Sequence, residues 1–153
     1  MKNCNQLLAY ALVWGISGFS PAGSLFAQDA LLVNGDFQNG AQGWNLTPGY
    51  QIEKGSGCNG TAALAYSNAD PEFPYAIPKQ EVKLEPGKVY RFSAWMRTEG
   101  IVPKRGVGAS VCIECQDAQG KTIKWFWTSG LNGNRDWKRI AGRTRPIPEE
   151  TVR

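Results

Sequence analysis

Two stretches of this sequence combine aromatic rings with charge at a spacing that can do chemistry. The first runs from Lys88 to Arg97, after a turn at Glu85-Pro86-Gly87. Read as a β-strand, it has two unlike faces, because successive side chains point to opposite sides. Tyr90, Phe92, Ala94 and Met96 suit a core. Arg91, Ser93, Trp95 and Arg97 place an indole between two guanidinium groups on a face that need not be buried. That combination suits a sugar ring carrying hydroxyl or acidic substituents. The second stretch is Lys124-Trp125-Phe126-Trp127. One of its faces must be core, and Ile123, Trp125 and Trp127 form the bulkier set, so they are expected inside. With Phe126 as the core residue instead, Trp125 and Trp127 would form an exposed aromatic strip of the kind that marks binding sites. Tyr75, in a loop with Pro71, Pro74 and Pro78, can line a cleft rim or simply anchor the loop. Glu114 is either a plain surface carboxylate or an acceptor for sugar hydroxyls.

Other chemistries find less support. The chain has no histidine, so the usual nucleophile–base pairs cannot form. A glycosidase needs two carboxylates about 5–10 Å apart, and Glu149-Glu150 are adjacent in a connector. Cys112-Ile113-Glu114-Cys115 resembles a redox or zinc motif only in spacing. It lies in a period-2 pattern, and residues three apart on a strand face opposite sides. No second such pair exists for zinc. Cys115 reads as core. A bridge between Cys58 and Cys112 is compatible with export, but nothing in the sequence supports it.

The elements that must position these residues are short strands. The chain has 153 residues, enough for one domain with one core. Residues 1–27 read as a secretory signal peptide: Lys2, an uncharged apolar run from Leu7 to Phe19, and small residues up to Ala27. The run is short for a membrane span and is broken by Gly15, Gly18 and Pro21. Export to the periplasm or the outside, with no span left after cleavage, is the expectation. Residues 28–153 keep a net charge of +3, one less than the whole chain because only Lys2 is lost. That balance is too mild for a nucleic-acid binder. Arg135, Lys138, Arg139, Arg143 and Arg145 either guard a sheet edge or attract an acidic glycan.

Gly and Pro punctuate short alternating runs, which argues for an all-β sandwich. Strands are expected over 31–37, 50–53, 61–66, 88–97, 107–115, 121–128 and 137–141, with alternation over 79–84 and a hairpin turn at Asp117–Gly120. Thr151-Val152-Arg153 reads as a strand just beginning, so the sandwich is expected to lack its final strand or strands.

These residues add up to a family pattern. The chain resembles the carbohydrate-binding modules of families 4, 9 and 22, which are galactose-binding-like jelly rolls. The matching motifs are Asn34-Gly35-Asp36-Phe37, Gly43-Trp44, Ser56-Gly57 with Ala63-Leu64, and Leu84-x-Pro86-Gly87-x-x-Tyr90-x-Phe92-Ser93-Ala94-Trp95. Asp117-x-x-Gly120 and Asp136-Trp137 follow in order. The resemblance implies a jelly-roll β-sandwich that binds a poly- or oligosaccharide, acidic or neutral, without catalysis. It also implies service as an accessory module of a larger secreted protein, with a glycan-degrading catalytic domain as the covalently linked partner. Relatives often hold a structural calcium with a Glu after the Asn-Gly-Asp-Phe motif. Here Gln38 stands in that place, which makes calcium less expected. The competing expectation is a structural sandwich that packs against a neighbouring domain and binds no sugar.

Overall fold

The computed structural model describes residues 5–16 (as backbone), 31–68, 77–103 and 107–152. It contains seven strands: β1 Asn5–Ile16, β2 Tyr50–Glu53, β3 Ala63–Asn68, β4 Val89–Ile101, β5 Cys112–Gln116, β6 Thr122–Trp127 and β7 Gly133–Arg143. Five form one sheet in the order β2-β3-β1-β4-β7, and β5 and β6 form a two-stranded ribbon. The fold is all-β, and the two layers pack as a sandwich.

The alternation of β4 builds the core. Tyr90, Phe92, Ala94 and Met96 are each 5% exposed or less, whereas Arg91 and Arg97 are exposed and Trp95 is half-buried. Tyr90 and Phe92 meet Ile113, Cys115 and Phe126 of the ribbon, with Leu84 and Ile147 closing the cluster. Ala94 and Met96 pack with Leu131 and Ile140. A further cluster joins Phe37, Ala62 and Leu64, with Trp44 and Tyr50 against it. The register explains one glycine. Gly142 lies opposite Phe92, and a Cβ there would sit 2.5 Å from the Phe92 ring. The Tyr90 hydroxyl also accepts a hydrogen bond from the Glu85 N–H at 2.8 Å. It thereby ties the Glu85-Pro86-Gly87 turn to the core.

Several expectations are corrected. Leu31–Phe37 is a series of turns, not a strand. Asn34 and Phe37 both have positive φ, 52° and 57°, which strand pairing forbids. The Asn34 amide holds the turn, donating to the carbonyls of Gly40 at 2.9 Å and Gln42 at 3.1 Å. The strand expected over 107–115 shrinks to Cys112–Gln116, because Ala109 makes only an isolated bridge with Leu131. Residues 79–84 alternate in burial as expected, with Gln80, Val82 and Leu84 inward, but bridge only at Lys79. The Asp117–Gly120 turn forms as read: Gly120 N–H donates to Asp117 O at 3.0 Å, and the Asp117 carboxylate takes the N–H groups of Gln119 and Lys121. Past β7, Val152 N–H donates to Gln116 O at 2.9 Å, so the chain runs back along the edge of β5.

The N-terminal segment shows where part of the expected leader packs. Residues 5–16 form β1, antiparallel to both β3 and β4. The rest of the leader, residues 1–4 and 17–27, lies outside the described residues.

Candidate functional site

Two surfaces carry the residues singled out in the sequence. The first is the outer side of the β5–β6 ribbon. Ile113 pairs with Phe126, and both are buried, so the expectation that Trp125 and Trp127 fill the core is wrong. Strand parity then turns the tryptophans outward, 40% and 48% exposed. Their rings stack at 5.6 Å between centroids, 18° from parallel. Each indole gives part of one face to the other and keeps the rest open to a ligand.

The polar groups of this surface come from the facing strand. Glu114 lies opposite Trp125, and Cys112 opposite Trp127. The Glu114 carboxylate is held by two donors, the Gln116 side-chain amide at 3.0 Å and the Thr122 hydroxyl. A carboxylate fixed beside an indole can accept hydroxyl hydrogens from a sugar stacked on that ring. A cavity of about 530 Å³ runs from this strip past Gln80 to Leu64 and Met96, a volume within the range of small-ligand sites. Gln80 itself is committed to structure: its amide group exchanges two hydrogen bonds with the Val33 backbone, at 2.7 and 2.8 Å.

The second surface is the outer face of the five-stranded sheet. Arg91, Ser93, Trp95 and Arg97 share it, as the alternation requires. β7 adds Arg143 opposite Arg91 and Arg139 opposite Trp95. Arg139 donates to the Ser93 hydroxyl from Nε at 3.3 Å and from its terminal nitrogen at 3.2 Å. The Arg97 guanidinium lies over the Trp137 ring at 5.7 Å, a cation–π distance. Trp137 was not singled out as a site residue in the sequence. It alternates with Arg139 along β7 and so shares this face, next to a register shift between Met96 and Thr98.

The six sequence candidates therefore do not converge on one site. Trp95, Arg91 and Arg97 come together on the sheet, Trp125 and Trp127 come together on the ribbon, and Tyr75 lies outside the described residues. Among the described residues, no helix is long and apolar enough to cross a membrane.

Residues 29–146 match the family model described as a carbohydrate binding domain, of the 4/9 type. The chain belongs to this carbohydrate-binding family. Membership makes it a carbohydrate-binding module with a carbohydrate partner. Two curated relatives align at 29% identity over 126 residues: the tRNA nuclease WapA of Bacillus subtilis and the tRNA3(Ser)-specific nuclease WapA of Bacillus spizizenii. Each alignment covers 74% of this chain and 5% of the relative, so the module spans a small fraction of those proteins. No solved structure matches the chain.

The module's remaining polar clusters are structural. Hydrogen bonds close the Asn34–Gln42 turn. The Asn34 side-chain oxygen is taken by Asn39 N–H at 3.0 Å, the Gly40 and Gln42 carbonyls are taken by the Asn34 amide, and the Asp36 carboxylate accepts Gln38 N–H at 3.3 Å. Cys58, Cys112 and Cys115 are free thiols, which leaves the Cys58–Cys112 bridge unformed. Cys112 faces the tryptophan strip and Cys115 the core. Burial, with the Glu114 charge adding to it, pushes the Cys112 thiol up to about 11, and burial raises Cys115 as well. Raised thiols are poor nucleophiles and poor metal ligands at neutral pH.

Proposed function

We propose that the module binds a poly- or oligosaccharide on the Trp125–Trp127 strip, with Glu114 orienting the ring hydroxyls. The observation that carries this reading is the exposed, near-parallel pair of indoles beside a held carboxylate. Sugar C–H faces stack on aromatic rings, and such platforms bury area at little conformational cost. The module does no chemistry in this reading. It acts as an accessory part of a larger exported protein, such as a glycan-degrading enzyme, and raises the local concentration of polymer around the catalytic part. Residues 1–27 would direct the export and then be removed, as the uncharged run after Lys2 and the small residues up to Ala27 indicate.

The outer sheet face supports a second reading, recognition of an acidic glycan. Arg91 and Arg143 stand directly opposite each other, and like charges so placed destabilise a strand pair. Among the described residues neither has an ion-pair partner. An anionic ligand would relieve that repulsion.

Binding to immobilised neutral and acidic polysaccharides, compared for the parent protein, Trp127→Ala and Trp95→Ala, tests both readings. Loss in Trp127→Ala alone, at least tenfold, places the site on the ribbon. Loss in Trp95→Ala alone, with acidic polymers and with strong salt dependence, moves it to the sheet. A folded protein that binds none of the polymers refutes both, and leaves the exposed tryptophans as a face for packing against a neighbouring domain.

A further inference from the structure

The cavity behind the tryptophan strip changes character along its length. Its mouth is edged by Trp125, Trp127 and Glu114, and by the exposed Lys79 and Glu81. Its inner wall is Phe37, Leu64 and Met96, each 4% exposed or less, with Trp44 and Tyr50 beside them. The Phe37 and Trp44 rings stand 5.1 Å apart between centroids, with their planes tilted by 47°. A third aromatic ring can pack edge to face on such a pair, and the Met96 thioether favours the same kind of neighbour.

One polar atom of the inner end is left over. The Thr47 hydroxyl is buried and has no hydrogen-bond partner among the described residues. Thr47 lines the cavity next to Tyr50, whose N–H donates to the Thr47 carbonyl at 3.2 Å and which packs on the Phe37–Leu64 cluster. A buried hydroxyl without a partner is costly, and one such group is too few to hold an ordered water. A sugar ring does not suit the inner end either. It would bring several hydroxyls against apolar walls, and each would lose its hydrogen bonds to water without replacement. The group that fits is flat, apolar along its length, and carries one oxygen at its far end.

We propose that the cavity is a subsite for a phenolic acyl group, of the hydroxycinnamoyl class, esterified to the sugar that stacks on Trp125 and Trp127. The acyl chain enters at the strip and passes Val82, which lines the cavity. Its ring packs on Phe37, Trp44 and Met96, and its phenolic oxygen accepts a hydrogen bond from the Thr47 hydroxyl. The strip takes the polar, hydroxyl-bearing part of the ligand and the cavity takes the apolar part, which is the division that their walls impose. The inference rests on the strip being the sugar site, but it adds a claim of its own: the ester-linked phenol contributes affinity that the bare polysaccharide lacks.

The test uses the full chain and four probes: methyl 4-hydroxycinnamate, methyl cinnamate, a hydroxycinnamoylated xylan, and the same xylan after alkaline removal of its esters. NMR titration reads the small esters and a pull-down reads the polymers. Thr47→Val removes the orphaned hydroxyl while keeping the side chain's shape, and should not destabilise the free protein. Val82→Phe places a ring in the cavity, and thermal unfolding checks that each variant is folded. The expected result is one methyl 4-hydroxycinnamate bound per protein, roughly two- to tenfold tighter than methyl cinnamate, as one hydrogen bond allows. Thr47→Val should bring the two esters level, Val82→Phe should abolish binding of both, and the esterified xylan should bind more tightly than the stripped one. The proposal is overturned if folded protein shows no saturable binding of methyl 4-hydroxycinnamate at millimolar concentration. It is equally overturned if Thr47→Val and Val82→Phe leave that binding unchanged, or if the two xylans bind alike. Trp127→Ala separates the two claims: it should weaken binding of the esterified xylan and spare the methyl ester. If it spares both, the sugar site on the strip falls while the phenol subsite stands.

Discussion

Alanine substitutions at three neighbouring positions of β6 should have opposite consequences, because the strand sends adjacent side chains into different environments. Phe126 is 8% exposed and packs against Tyr90, Phe92, Ile113 and Cys115. Its truncation removes a buried ring and leaves a cavity, at a cost of about 3–5 kcal/mol. For a domain of this size each kcal/mol lowers Tm by roughly 3–6 °C, so Phe126→Ala should lower it by about 9–30 °C. Trp125 and Trp127 are 40% and 48% exposed and stack on each other. Losing one ring forfeits that stack, about 0.5–1.5 kcal/mol beyond the area the ring covers, but leaves no buried cavity, so Tm should fall by clearly less than in Phe126→Ala. Polysaccharide affinity should show the reverse order, with Trp127→Ala losing at least tenfold. Thermal unfolding followed by circular dichroism, paired with binding to an immobilised polymer, reads both quantities. A large loss of stability in Trp127→Ala together with a near-neutral Phe126→Ala would refute the reasoning. It would mean that β6 is registered one residue out, which turns every side chain to the other face and puts the aromatic strip inside.

Two further outcomes follow from the packing and the thiols. Gly142→Ala should destabilise the fold by about 1–3 kcal/mol, since its new Cβ would meet the Phe92 ring at 2.5 Å. Phe92→Leu in the same chain should recover part of the loss in denaturant unfolding, and strict additivity would count against the contact. Burial raises the Cys112 thiol from 9.0 to about 11, so the fold favours the protonated form. Its contribution is complete below about pH 9 and is lost as pH rises through about 11. The fall in Tm across that window should be shallower in Cys112→Ala, and an identical slope in both proteins would show that the thiol is not buried by folding.

How much of this could be read in advance depended on whether the two faces of a strand differ in chemistry. In β4, Tyr90, Phe92, Ala94 and Met96 contrast with Arg91 and Arg97, so the inward face was unambiguous. In β6, Trp125 and Trp127 flank Phe126, and both faces are aromatic. Bulk then points the wrong way. The deciding signal sat on the neighbouring strand: Glu114 is registered with Trp125, and a carboxylate there marks the face open to water. Reading the hairpin as a pair across the Asp117–Gly120 turn, rather than as two separate strands, would have found it. At 31–37 the apolar residues suggest a strand, but the positive φ of Asn34 and Phe37 is a backbone property that residue type only hints at, since Asn tolerates it and Phe rarely does.

The outer sheet face was half legible for a different reason. Arg91, Trp95 and Arg97 fall on one side of one strand, and spacing alone assigns them there. Trp137, Arg139 and Arg143 join them from about 45 positions away along the chain, and only the β4–β7 register can say so. That register is not uniform. Residues 91 to 96 pair in step with 143 to 138, and the ladder then slips before Thr98 meets Arg135. Beside the slip, Trp137 lies within reach of Arg97, whose guanidinium takes up its ring. Bulges commonly re-aim a side chain in this way. The guanidinium next to Trp95 is therefore engaged elsewhere and Arg139 is held by Ser93, which leaves Arg91 and Arg143 as the opposed pair whose repulsion a ligand could relieve. In the second reading, the demand for an anionic ligand comes from that opposed pair, not from the length of the basic run from Arg135 to Arg145.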